Sequence, residues 1–209
     1  MNQLIHKSLE HMELTFISLF IAMVIAIPAG ILLARSKHQI SPYILRLTAI
    51  IQTIPGLALI ALIVVILAGL REFFPLPITG TLPALIVLAL YALLPIFSNT
   101  YTGIQQVSPN VKGVAYAMGM TERQILFYVE IPLSLPILIN GIRIAMVTTI
   151  GMVTLTSLVG SGGLGDLIVQ GLRTMQMKLV LSGTIPASLL AIFFDTILSR
   201  VGHYFSTQS

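Results

Sequence analysis

Long apolar runs constrain this chain more than any other feature. They fall at about 14–34, 44–69, 82–97, 135–158 and 179–198, the second interrupted by Pro55-Gly56. A helix crosses about 30 Å of hydrocarbon with roughly 20 mostly apolar residues, because each residue rises about 1.5 Å. A membrane-barrel strand needs only about ten residues of alternating character, so these runs read as helices. The expected fold is therefore all-α, a polytopic membrane bundle of about five transmembrane helices. Only 9% of residues are charged, against about 25% in an ordinary soluble domain, which excludes a soluble globule. The spans and their connections use up the 209 residues, so residues 1–209 read as one transmembrane domain with a core at about 11–203.

The formal charge of +4 comes from few groups and no basic cluster, so nucleic acid is not an expected partner and the lipid bilayer is. There is no cysteine, hence no disulfide, thiol nucleophile or thiolate metal site. Near the start, Glu10 and Glu13 offset Lys7, and the apolar run that follows is too long for a signal h-region; it is expected to stay as a span. Lys and Arg gather on the cytoplasmic side of membrane proteins. With five spans, one face collects Arg35, Lys37, Arg46, Lys112, Arg123, Arg143 and Arg200, and the other keeps Lys7, Arg71, Arg173 and Lys178. The richer face is expected inside, which puts the N-terminus outside and the C-terminus in the cytoplasm.

Between the third and fourth runs lies a more polar stretch, 98–132, written as two short helices. Ser108-Pro109 reads as an N-cap followed by proline at the first helical position. Val111, Val114, Ala115 and Met118 then share a face, and Gly119 supplies a stop that tolerates left-handed geometry. Thr121 with Gln124 makes a capping box ahead of Ile125, Leu126 and Val129, and Pro132 is expected to end the segment. Such apolar faces either dock on a partner or lie against the chain's own helices and the lipid interface.

Gly113-Val114-Ala115, Gly119 and Val129-Glu130-Ile131-Pro132 together resemble the EAA loop of type I ABC importer permeases, the methionine-permease-like fold. The resemblance extends from about His11 to His203. Residues 51–59 (IQTIPGLAL) and 158–166 (LVGSGGLGD) resemble the osmoprotectant branch for glycine betaine, carnitine and choline, although methionine permeases carry similar glycine patches. The resemblance implies that the loop 108–132 docks in a groove of a separate ATPase subunit, with Gly113, Val114, Ala115, Met118, Gly119, Thr121, Glu122, Ile125, Ile131 and Pro132 as its coupling residues. It implies a second permease subunit, identical or paralogous, an extracellular solute-binding protein, and a place in the cell membrane of a prokaryote. ATP and Mg belong to the ATPase, and this chain is expected to hold no cofactor and to be no enzyme. The glutamate that opens the family motif is Gly113 here, so an acid at that position would have to come from a non-identical second permease.

Other motifs lack the context their chemistry needs. Gly160-Ser161-Gly162-Gly163-Leu164-Gly165 fits G-x-G-x-x-G, but it follows a span rather than a strand and faces outward, so it reads as a tight turn where helices approach closely. A serine nucleophile at Ser161 would need a histidine base, and His6 and His11 read as surface residues near the chain's start. No glycine precedes a lysine, which rules out the G-x-x-x-x-G-K-[ST] loop, and the acidic residues and histidines show no metal-ligand spacing.

Gly141, Ala145 and Thr149 recur every four residues, as in close helix packing. Ionisable groups inside spans are costly and usually paired. Arg143 and Asp195 each lie about 13 Å from the cytoplasmic end by residue count, so they are expected to pair across two helices; the alternative is that Arg143 snorkels and Asp195 meets Arg200 or caps locally. Pro28, Pro55, Pro83 and Pro95 fall inside or at the start of spans and free backbone carbonyls. Gln52, Thr53, Pro55 and Asn99 are thus read as a polar translocation path, or else as interhelical hydrogen-bond partners. An ion-coupled secondary transporter would want more intramembrane charge than Arg143 and Asp195 supply, and a membrane scaffold would not need the paired-helix loop.

Overall fold

The computed structural model describes residues 2–36, 43–44, 46–47, 50, 53–71 and 73–206. The described chain runs through α1 (Asn2–Arg35), α2 (Gly56–Leu70), α3 (Thr81–Gln106), α4 (Pro109–Ala117), α5 (Glu122–Ile125), a π turn (Leu126–Glu130), α6 (Ile131–Thr156), a 3-10 turn (Ser157–Val159), α7 (Gly165–Arg173) and α8 (Met177–Ser206). Among the described residues, four helical runs are long and apolar enough to cross a membrane: Gln3–Arg35, Thr81–Gln106, Glu122–Val159 and Met177–Ser206.

The expected second span is realised differently. Of it the structure describes helical backbone at 44, 46–47 and 50, a break at 53–55, and α2, whose 15 residues reach roughly 22 Å, short of a bilayer core. Pro55, extended at ψ 137°, bars the helix from running back through it. The connection nevertheless crosses the bundle. Arg35 at one end of α1 meets Glu122, whereas Gly80 at the start of α3 donates to Val159 O at 2.7 Å at the other end. Ile54 lies midway, its carbonyl accepting from Tyr91 ten residues into α3.

The core is built on small residues. Ala22 and Ala26 of α1, Ala92 of α3 and Ala145 of α6 are fully buried, interleaved with Leu19, Ile96 and Ile150, so backbones approach as membrane helices require when apolar burial against lipid supplies little drive. α3 lies between α1 and α6, and α8 packs on α6 and α7. Gly141 is the tightest of these seams: a Cβ there would stand 2.6 Å from Asn99 Cβ and 2.9 Å from Pro95 O.

Two boundaries move from those expected. α3 continues to Gln106 because its polar residues bond inward, Thr100 Oγ1 to Ile96 O at 2.7 Å and Asn99 Nδ2 to Pro95 O at 2.9 Å, rather than competing with the helix. Pro132 does not end the loop. The π turn before it lets Ile131 N–H reach back five residues to Leu126 O, and this wider turn takes up the missing proline donor and its clash with the preceding turn. The helical run Glu122–Val159 is therefore continuous over 38 residues, roughly 57 Å, and its first part must project beyond about 30 Å of hydrocarbon.

Candidate coupling surface and intramembrane sites

The projecting loop is assembled as its local chemistry dictates. Ser108 Oγ accepts from Asn110 N–H at 3.3 Å and opens α4 at Pro109. Gly119 turns the chain at φ +80°, a conformation that costs a residue with a Cβ. Thr121 and Gln124 form the reciprocal cap, Thr121 N–H to Gln124 Oε1 at 2.8 Å and Gln124 N–H to Thr121 Oγ1 at 3.4 Å. Ala115 and Ile125 turn inward and are buried. Val114, Met118, Phe127 and Tyr128 remain 61%, 76%, 62% and 73% exposed, an unusual density of bare apolar side chains at an end that projects from the bilayer. Gly113 is exposed, and a Cβ there would meet nothing within 4 Å.

The sequence reading missed what holds this loop in place. Glu130 is 3% exposed and lies between Lys112 Nζ at 2.8 Å and Arg35 Nε at 3.3 Å. Arg35 also donates to Glu122 O at 3.1 Å and pairs with the Glu122 carboxylate, whose other oxygen accepts from Tyr116 Oη–H at 2.6 Å. That hydrogen bond to Glu122 raises the Tyr116 phenol above its usual range. Two cations and two carboxylates thus close on one another, joining the end of α1 to α4, α5 and the π turn. Removing one partner of a buried carboxylate costs about 3–5 kcal/mol in typical cases. Gln105 adds a tie from α3, donating to Ala34 O at 2.6 Å. The only clue in the sequence was Glu130 inside the motif, and its partner Arg35 lies far away in the chain.

At the opposite end α1 is fastened to the glycine patch. Lys7 Nζ bridges Glu10 at 2.8 Å and Asp166 at 2.7 Å, and Glu10 Oε2 accepts from Gly163 N–H at 2.9 Å. His11 is not the surface residue expected. It is fully buried, with Nε2 donating to Ile150 O at 3.0 Å and Nδ1 accepting from Leu164 N–H at 3.4 Å, so the ring is the neutral Nε2–H tautomer. The short helix α7, hidden in an expected loop, brings Asp166 to Lys7 and makes this closure. Ser161 donates to Thr156 Oγ1 at 2.9 Å, and both His11 nitrogens are engaged elsewhere, so no Ser–His pair forms among the described residues. No group of three or more potential metal ligands occurs among them either.

Between α6 and α8, Arg143 meets Asp195 through two bonds, Nε to Oδ1 at 2.6 Å and Nη2 to Oδ2 at 2.9 Å, the fork geometry that suits guanidinium and carboxylate, with both side chains about a third exposed. The described path residues, Thr53, Pro55 and Asn99, are each placed by local partners. Asn99 bonds Pro95 O and sits 3.5 Å from Asn140 Nδ2; Thr53 bonds Ile50 O at 2.7 Å, and it and Pro55 are exposed. Gln52 lies outside the described residues.

Known proteins match both this sequence and this architecture. A family model, the binding-protein-dependent transport system inner membrane component, matches residues 26–206. The choline transport system permease protein OpuBB of Bacillus subtilis (strain 168) is 36% identical over 94% of this chain and 86% of its own. The carnitine transport permease protein OpuCD of Listeria monocytogenes serotype 1/2a is 40% identical over 92% and 82%. Among solved structures, an inward-facing form of the MetNI methionine ABC transporter superposes with a TM-score of 0.81 at 23% identity, covering 97% of this chain and 96% of that one. This last likeness concerns the fold.

Proposed function

The chain belongs to the family of binding-protein-dependent transport system inner membrane components, and from that premise we propose that it is the permease subunit of an ATP-driven importer for a small osmoprotectant such as choline, carnitine or glycine betaine. The observation that carries the coupling role is the projecting pair α4–α5, with Val114, Met118, Phe127 and Tyr128 bare and the base of the loop clamped by Arg35, Lys112, Glu122 and Glu130. On this reading residues 108–132 dock in a groove of a separate ATPase subunit, which binds ATP and Mg, and the chain itself performs no hydrolysis. The whole chain acts as one transmembrane domain of a prokaryotic cell membrane, with the N-terminus outside and the C-terminus inside. This orientation rests on the Lys/Arg count and keeps the bare loop in the cytoplasm, where an ATPase can reach it. A second permease subunit completes the solute path. Gln52, Thr53, Pro55 and Asn99 are this chain's proposed contribution to that path. Quaternary ammonium ions are best held by aromatic faces, tryptophan first, and this chain has no tryptophan, so selectivity belongs to an extracellular binding protein. An ion-coupled carrier is disfavoured because Arg143 and Asp195 neutralise each other.

The test uses the absence of cysteine. Met118→Cys, co-expressed with the importer's ATPase and binding protein, should cross-link to the ATPase, and proteoliposomes holding the complex should accumulate labelled choline, carnitine or glycine betaine only with ATP at the loop face. Labelling of Met118→Cys by an impermeant thiol reagent added outside intact cells, or uptake indifferent to ATP, would overturn the proposal.

A further inference from the structure

Among the described residues, helix α1 is fastened by ion pairs at both ends, and its inner fastening is to the loop. Arg35, the last residue of α1, reaches α5 through Glu122 and the π turn through Glu130. Lys112 on α4 closes on the same Glu130, and Tyr116 on α4 closes on the same Glu122. Both helices of the loop are thereby tied to one guanidinium. By contrast, described contacts between the loop and α3 at this end include no ion pair, and α3 leads into α4 through Val107 in extended backbone at ψ 120°, which does not transmit a push along a helix axis.

Resting on the importer reading above, we propose that Arg35 is the positioning residue through which displacement of the loop is passed to α1, with Glu122 and Glu130 as its two seats. The chemistry fits the task. A guanidinium is a rigid planar cation with several donors, so one side chain bonds Glu122 through Nη2 while its Nε stands 3.3 Å from Glu130 Oε2 as a charge contact without a hydrogen bond. One seat is buried and the other exposed, Glu130 at 3% and Glu122 at 66%. The π turn adds the necessary compliance: beside the loop it interrupts the regular backbone bonding of the Glu122–Val159 run, and such turns are common where helices must adjust. Because α1 is also held to the outer glycine turn through Glu10 and His11, and to α7 through Lys7, a pull at Arg35 acts on the outer end of the bundle as well.

The experiment measures solute imported per ATP hydrolysed in proteoliposomes containing the whole complex. Arg35→Gln should still co-purify with the ATPase and hydrolyse ATP, while the ratio falls at least tenfold; Arg35→Lys should recover part of it. As a second arm, Arg35→Cys with Glu122→Cys, in a chain that otherwise has no cysteine, should lose coupling when reduced and regain it when joined by a short bis-thiosulfonate linker. An unchanged ratio in Arg35→Gln, or no recovery on linking while hydrolysis persists, overturns the role of Arg35 and leaves the importer reading intact. Failure of the unaltered complex to import with ATP would instead overturn that reading.

Discussion

Gly141→Ala should loosen the bundle, and Gly151→Ala, one residue in the same helix, should not. Both replace glycine by the best helix former and gain the same propensity, up to about 1 kcal/mol. Their surroundings differ. At position 141 the new Cβ would lie 2.6 Å from Asn99 Cβ and 2.9 Å from Pro95 O, whereas at 151 nothing lies within 4 Å. Neither obstacle is the free end of a flexible side chain, so α3 and α6 must separate along their length. Overpacking of this kind costs about 1–3 kcal/mol, and because the propensity gain cancels between the two variants, their opening equilibria should differ about five- to 150-fold at roughly 1.4 kcal/mol per decade. A cysteine placed at Ala26, fully buried in α1, reports the opening: in the subunit titrated with SDS in mixed micelles, the rate at which that thiol is labelled follows the fraction open. Equal labelling of the two variants would refute the claim that the α3–α6 approach, rather than helix propensity, explains the glycine.

Three further outcomes follow from single contacts. Thr149 is fully buried and its hydroxyl has no partner; an unpaired buried polar atom costs about 1–3 kcal/mol, so Thr149→Val should be neutral or raise the midpoint in the same labelling titration. Arg143→Asp and Asp195→Arg should each impair assembly, and the double exchange should restore the yield of folded subunit on size exclusion, since the bidentate contact can be rebuilt with its ends reversed. Thr121→Ala removes the side-chain half of the reciprocal cap at a cost of about 1 kcal/mol, and because α5 is exposed this should appear as faster proteolysis between Gly119 and Gln124 with little change in the midpoint of the bundle.

The sequence displays those parts of the molecule that follow local rules. Apolar runs locate the spans because a lipid-embedded backbone must satisfy its own hydrogen bonds, which leaves the helix as the spanning element. The caps at Ser108 and Thr121 and the turn at Gly119 are readable because each needs only neighbours a few residues away. Arg143 and Asp195 are readable for a different reason: charge is so rare within the spans that two groups at one depth stand out. Long-range partnerships among ordinary residues leave no such trace. Arg35 appears in the sequence as one more cation at a span end, and His11 as a polar residue near the start, until α7 and the glycine turn close over it. Pro132 shows the limit of local rules from the other side, since a proline that ends an α-helix is accommodated once the preceding turn widens.

The placement of charge in the bundle separates two kinds of fastening. Arg143–Asp195 lies between α6 and α8, a pair of helices already in extensive contact, and it fixes their register at one depth. The clusters at Lys7 and Arg35 lie at the two ends of α1 and join it to the short helices α7 and α5 and to the π turn rather than to the long helices packed beside it. A pair between packed helices resists sliding, whereas a pair between a helix end and a short connecting segment lets that segment carry the end with it. If the loop is to move spans while the α3–α6 seam stays closed at Gly141, the motion has to enter through contacts of the second kind. Among the described residues α1 has them at both ends, so a substitution at Arg35 should change how the outer glycine turn is protected from hydrogen exchange, and one at Arg143 should not.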